Sequence, residues 1–143
     1  MEDLAFRIGA TERQHVVVRS IRRAFPEATN DWDADALLAT IEVAAGAFRG
    51  EFDVWLFRRE LVSFREQLGP LYEKLIGRAT LASLDGWLTI DVESDGKGHF
   101  RAECVADDQP GIGNKLRFTI EFDQTELPEI VRSLGAICAA LAR

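Results

Sequence analysis

The stretch that decides the fold runs from Ala79 to Phe122: ATLASLDGWLTIDVESDGKGHFRAECVADDQPGIGNKLRFTIEF. Its apolar residues recur at every second position. Leu88, Ile90 and Val92 point one way, while Trp87, Thr89, Asp91 and Glu93 point the other. Phe100, Ala102 and Cys104 alternate with Arg101 and Glu103. Leu116, Phe118, Ile120 and Phe122 alternate with Lys115, Arg117, Thr119 and Glu121. Period two with one apolar and one polar side predicts strands whose sheet buries one face and wets the other. Between the runs lie Asp85-Gly86, Ser94 to Gly98 and the loop from Asp107 to Asn114. Asp-Gly between two strands predicts a two-residue type I′ hairpin, and the other breaks are turn chemistry. The stretch therefore predicts a four-strand antiparallel meander.

Outward from the meander the period changes to that of a helix. Leu127, Ile130, Val131, Leu134, Ile137, Cys138 and Leu141 form an apolar stripe, predicting a helix over about 124–142. Asp123 with Glu126 three residues later predicts a capping box at its start, and Pro128 falls within its first turn. Phe57, Leu61, Phe64, Leu68, Leu71 and Leu75 predict a second helix over about 56–76. Gly69-Pro70 predicts a break or kink in it, with a short second helix ending near Gly77.

The N-terminal half adds further strands. His15 to Arg23 is rich in Val and Ile. Residues 35–46 place Leu37, Ile41 and Val43 on one face. Residues 48–56 alternate Phe48, Phe52, Val54 and Leu56 with Arg49, Glu51, Asp53 and Trp55. Leu4 to Ile8 reads as another short strand, and Gly46 as the turn between the two strands that flank it. No sequence repeat or linker appears. The whole is an α+β domain over residues 1–143: an antiparallel sheet of six to eight strands with one face covered by two main helices.

The 143 residues are enough to bury a core without staples. Hydrophobic residues make up 47% and charged residues 29%, which is globular rather than disordered composition. The formal net charge of −7 argues against nucleic acid as a partner, since phosphate binding needs a basic face. Arg13, Arg19, Arg22 and Arg23 are the only basic cluster. Acidity suits a basic protein partner, and it also serves solubility alone. Met1-Glu2-Asp3-Leu4 lacks the basic start and apolar run of an export signal, so a cytoplasmic location without membrane attachment is expected. Cys104 and Cys138 both fall at apolar positions and read as buried thiols. A bridge between them is left open.

The search for chemistry yields no catalytic, cofactor-binding or metal residues. His15 and His99 stand far apart, in no metal-ligand spacing. Gly111-Ile112-Gly113 sits between strands, not before a helix, so it is no nucleotide loop. The outward carboxylates Glu51, Asp53, Asp91, Glu93, Glu103 and Glu121 are interleaved with Arg49, Arg101, Lys115 and Arg117. They read as surface ion pairs. A divalent-metal hydrolase site built on them is the catalytic alternative. Two features suit protein binding. One is the acidic loop Asn30 to Asp35, with Trp32, Asp33 and Asp35. The other is Trp87 beside Asp91 and Glu93. Tryptophan among carboxylates suits a basic partner's surface, although either Trp also reads as packed on the domain edge.

Several segments also resemble a known family. They are the spacing F-x-x-x-L-x-x-F-x-x-x-L-x-x-L-x-x-x-L-x-G from Phe57 to Gly77, the Asp-Gly hairpin, the turn S-D-G-K-G-H, and K-L-R-F-T-I-E-F-D-Q-T-E-L from Lys115 to Leu127. Phe122-Asp123-Gln124-Thr125 followed by Leu127 is the most specific part. Together they resemble the WapI-type immunity proteins of bacterial polymorphic and contact-dependent toxin systems. The resemblance implies a small cytoplasmic protein that binds and blocks a cognate toxin domain, without catalysis or cofactor. A diverged interaction domain with another role shares the same features. The resemblance carries no residue-by-residue binding set, so Trp32, Asp33, Asp35, Trp87, Asp91 and Glu93 are the contacts expected from the residues alone. The oligomeric state is not legible.

Overall fold

The computed structural model describes residues 3–142. Its chain runs β1 (Phe6–Thr11), β2 (Gln14–Arg23), α1 (Asp31–Asp35), β3 (Ala36–Ala45), β4 (Phe48–Phe57), α2 (Arg58–Lys74), β5 (Arg78–Ala82), β6 (Leu88–Ser94), β7 (His99–Asp107), β8 (Lys115–Asp123) and α3 (Leu127–Ala140). The eight strands are divided between two four-stranded antiparallel sheets, ordered β1-β2-β3-β4 and β5-β6-β7-β8. Each sheet is a meander followed by a long helix. The architecture thus repeats, although no repeat is visible in the residues.

The inward sets are those that alternation marks. Val16, Val18, Leu37, Ile41, Val43, Val54 and Leu56 are buried in the first sheet. In the second, Leu88, Ile90, Val92, Phe100, Ala102, Cys104, Phe118, Ile120 and Phe122 are buried. The helices add Leu61, Phe64, Leu68 and Leu71 from α2, and Leu127, Ile130, Leu134 and Ile137 from α3. One apolar cluster draws on both sheets and both helices. Phe64 meets Phe6 at a ring separation of 6.4 Å, and Phe100 stacks on Phe122 at 5.3 Å. Arg58 donates twice to the carbonyl of Cys138, at 3.0 and 2.8 Å, tying α2 to α3.

Three sheet edges are masked. β1 lies against β8: a Cβ at Gly9 would stand 3.1 Å from Ile120, and Gln14 donates its amide to the Thr119 carbonyl at 2.9 Å. Along β5, the Gln67 side chain stands in for a neighbouring strand. Its amide oxygen accepts the Thr80 N–H at 2.9 Å, and its NH₂ donates to the Thr80 carbonyl at 3.2 Å. β4 is the remaining edge.

Four local expectations need correction. The hairpin at Asp85-Gly86 is not a two-residue type I′ turn. Among those two residues only Gly86 has positive φ (84°); the loop closes on Ser83 and Leu88 instead, with Gly86 N–H donating to Ser83 O. A type I′ turn needs positive φ at both centres, and Ser83 holds the wider loop by accepting the Leu88 N–H on its hydroxyl at 3.2 Å. The helix is not broken at Gly69-Pro70: α2 continues through Pro70 to Lys74 and ends at Leu75 in the left-handed region, φ 57°. Proline removes one helical hydrogen bond, and burial of Leu68 and Leu71 on either side holds the turn. The Asp123–Glu126 box forms only in part, and one turn early. Asp123 accepts from Thr125 N–H at 2.9 Å, and Glu126 accepts from Asp123 N–H at 3.1 Å, closing a turn between β8 and α3. The helix proper starts at Leu127, with Pro128 in its first turn. Finally, residues 31–35 are not a loop but one helical turn, capped by the Asn30 side chain accepting Asp33 N–H at 2.8 Å.

Candidate protein-docking face

The second sheet turns its wet face outward as a ladder of charges. Across the strands, Arg78 stands opposite Glu93, Glu93 opposite Arg101, and Arg101 opposite Glu121. The next row holds Thr80, Asp91, Glu103 and Thr119. Arg78 reaches Asp91 at 3.2 Å and Glu93 at 2.7 Å, and Arg101 reaches Glu103 at 2.6 Å. The Arg101 guanidinium and the Thr119 hydroxyl hold the Glu103 carboxyl below its ordinary range. These are exposed pairs, worth at most about 1 kcal/mol each. They set a charge pattern more than they hold the fold.

At one end the ladder opens into a cleft of about 740 Å³, lined by Glu93, Asp95, Glu121, Asp123 and Glu126 with Arg101 and His99. Five carboxylates thus face one guanidinium and one imidazole. Asp95 sits low in the carboxylate range because it accepts the N–H groups of Lys97 and His99, at 2.7 and 3.1 Å. Asp123 is lowered chiefly by the Thr125 hydroxyl. The Glu121 side chain takes part in no hydrogen bond or ion pair among the described residues. The arrangement concentrates negative charge at one end of the sheet face. No group of three or more His, Cys, Asp or Glu is spaced to hold a metal ion among the described residues.

The six residues expected as contacts fall into two groups. Asp91 and Glu93 lie on the charged face, and Glu93 lines the cleft. Trp87 begins the same strand face but is half-buried against the core edge. It lines a shallow groove with Trp55, Asp85, Gln109, Pro110 and Ile112. Ile112 is 86% exposed there, and Phe25 packs tilted against Trp55 at 5.8 Å. Trp32, Asp33 and Asp35 belong to α1. Trp32 lies against Phe57 at 4.8 Å. The Arg59 guanidinium sits 4.3 Å from both rings and pairs with Asp35 at 3.0 Å. Trp32 is still 54% exposed. The two groups share no hydrogen bond, ion pair or ring contact among the described residues.

Sequence reasoning missed the acidic cleft, because its five carboxylates come from two turns and two strands that only register brings together. His15 is 1% exposed, with Nε2 3.0 Å from Glu42 and Nδ1 2.8 Å from the Thr11 carbonyl, so its role is to link strands. His99 is exposed at the cleft. Cys104 and Cys138 are free buried thiols, and burial pushes Cys104 up to about 12.

The model of the Immunity protein WapI-like family matches residues 7–142, both sheets and both long helices. This chain belongs to that family. The match includes the first sheet, well beyond the Phe57-onward segments that carry the resemblance in the residues. No curated protein matches the chain. Among solved structures, trypanosoma bruciei MRP1/MRP2 is 13% identical, covering 99% of this chain and 87% of that one, with a TM-score of 0.48. The siderocalin Ex-FABP is also 13% identical, covering 99% and 81%, with a TM-score of 0.28. At these scores neither likeness bears on function. No helix among the described residues is long and apolar enough to cross a membrane.

Proposed function

We propose that this immunity-family protein is a cytoplasmic, stoichiometric inhibitor of a cognate toxin domain, docking its acidic sheet face on a basic surface of that toxin. Membership of the WapI-like family over residues 7–142 carries the reading. The −7 charge and the carboxylate-lined cleft supply the complementary chemistry. A basic toxin is steered to such a face before contact, and a Lys or Arg then enters the cleft beside Glu121, Asp123 and Glu126. Inhibition follows by coverage, with no covalent step and no cofactor.

Asp91 extends the acidic face beyond the cleft, and Trp87 gives it an apolar anchor beside Trp55 and Ile112. Trp32 with Asp33 and Asp35 forms a second, smaller patch. The test is a titration of toxin activity against this protein. Activity should reach its floor at one equivalent, and Glu93→Lys with Glu121→Lys should raise the amount needed. Trp32→Ala separates the second patch: unchanged inhibition removes it from the interface. Full toxin activity at excess protein would end the proposal.

A further inference from the structure

β4 is the sheet edge that the chain leaves bare. Along residues 48–54 its backbone makes no hydrogen bond beyond the ladder to β3 among the described residues. Beyond this stretch, Trp55 already faces the Asp85–Trp87 and Gln109–Ile112 loops. An unpaired edge is a template for another strand, and charged side chains normally blunt it. Here the charges are of both signs. The wet side presents Arg49, Glu51 and Asp53 at two-residue steps.

Their partners within the chain differ in an informative way. Glu51 is held by Arg19 at 2.5 Å. Arg49 donates to the Glu12 carbonyl at 3.0 Å and meets no carboxylate at ion-pair distance among the described residues. Asp53 accepts the Thr40 hydroxyl at 2.8 Å and likewise meets no cation. A positive and a negative charge four residues apart are therefore left uncompensated, on either side of a carboxylate that is already neutralised.

We propose that two copies of this chain pair antiparallel through β4, about a twofold axis at Glu51. In that register Arg49 stands opposite Asp53 of the partner subunit, and symmetry makes the pair twice. The two Glu51 carboxylates meet at the axis, each carrying its own Arg19. On the other side, Gly50 stands opposite Phe52 of the partner subunit. No atom lies within 4 Å of a Cβ built at Gly50, so that ring has room. Phe48, 67% exposed in one chain, comes to lie opposite Val54 of the partner subunit. Every pair joins residues of like parity, so bonded and non-bonded pairs alternate as an antiparallel ladder requires. The product is one eight-stranded sheet. Its interface is small, so the dimer is weak and forms at micromolar concentration or above. The inference is independent of toxin binding.

Sedimentation equilibrium from about 10 μM to about 1 mM tests it. The wild-type mass should rise toward twice the 16.0 kDa of the chain. Arg49→Asp and Asp53→Arg should each weaken association about 10-fold or more, because each turns two attractive cross-strand pairs into repulsive ones. An equimolar mixture of the two variants restores both pairs and should dimerise as the wild type does. A wild type that stays monomeric throughout overturns the proposal. So do single variants that dimerise normally, or a mixture that fails to recover.

Discussion

Glu60 accepts the backbone N–H of Leu84 at 2.6 Å while its other oxygen accepts the N–H of Phe57 at 2.7 Å. One carboxylate at the start of α2 therefore joins the last strand of the first sheet to the first hairpin of the second. Burial raises its pKa, against the pull of these two N–H donors. Replacing Glu60 with Ala leaves both donors to water and is expected to cost about 1–2 kcal/mol. Urea unfolding with a common m-value measures the loss.

Phe64 ties α2 to the first sheet. It is fully buried on α2 and packs its ring on Phe6 of β1. Phe64→Ala should cost about 3–5 kcal/mol, because a cavity replaces a fully buried aromatic ring between α2 and β1. The same unfolding measurement reads it. A loss below about 1 kcal/mol would place the ring outside the core.

Much of this was legible in the residues. Strict alternation in β6, β7 and β8 places every inward side chain correctly, because a single register slip would turn the whole set outward. The stripes from Leu61 to Leu71 and from Leu127 to Cys138 define the long helices for the same reason. What escaped has a physical cause in each case. Phe48 alternates with the apolar set yet is exposed, because β4 is an edge and no layer covers its start. The division into two sheets leaves no mark within a strand. It arises where α2 separates β4 from β5, and Gln67 then closes the new edge. The cleft depends on Glu93, Arg101 and Glu121 sharing a row across three strands, which pairing sets and composition does not.

Gly9 tests the β1–β2 hairpin at the place where β1 meets β8. Its φ is 97°, and a Cβ there would stand 2.4 Å from the Gln14 carbonyl oxygen. Gly9→Ala therefore meets both backbone strain and a clash against main chain that cannot swing away. About 1–3 kcal/mol of destabilisation is expected, seen as a lower thermal midpoint.

The thiols should be inert in the native state. Burial pushes Cys104 up to about 12, and it raises Cys138 as well. A thiolate is the reactive form, so disulfide-exchange reagents should modify neither residue rapidly at neutral pH until the chain unfolds. Fast native-state labelling of Cys104 would contradict its burial.

Acid should act through the turn before α3. Asp123 titrates below the ordinary 3.8, chiefly because the Thr125 hydroxyl bonds its carboxylate. A lowered folded value means that the stabilisation is present above the unfolded value and is lost as pH falls through the folded one. Glu60, raised, works in the opposite sense: its contribution grows as pH falls. Asp123→Asn isolates the first effect, and its unfolding midpoint should drop less than that of the wild type between about pH 5 and about pH 3. Parallel midpoint curves would exclude Asp123 from the acid response.

This immunity-family chain is expected to cover a basic toxin with its acidic sheet face. Calorimetric titration with a cognate toxin domain is the decisive measurement. One-to-one binding at roughly nanomolar affinity is expected, weakened by added salt and by Glu93→Lys with Glu121→Lys. Absence of heat and of co-elution with that domain would contradict the inhibitor reading. Tight binding indifferent to both carboxylates would contradict the assignment of the face.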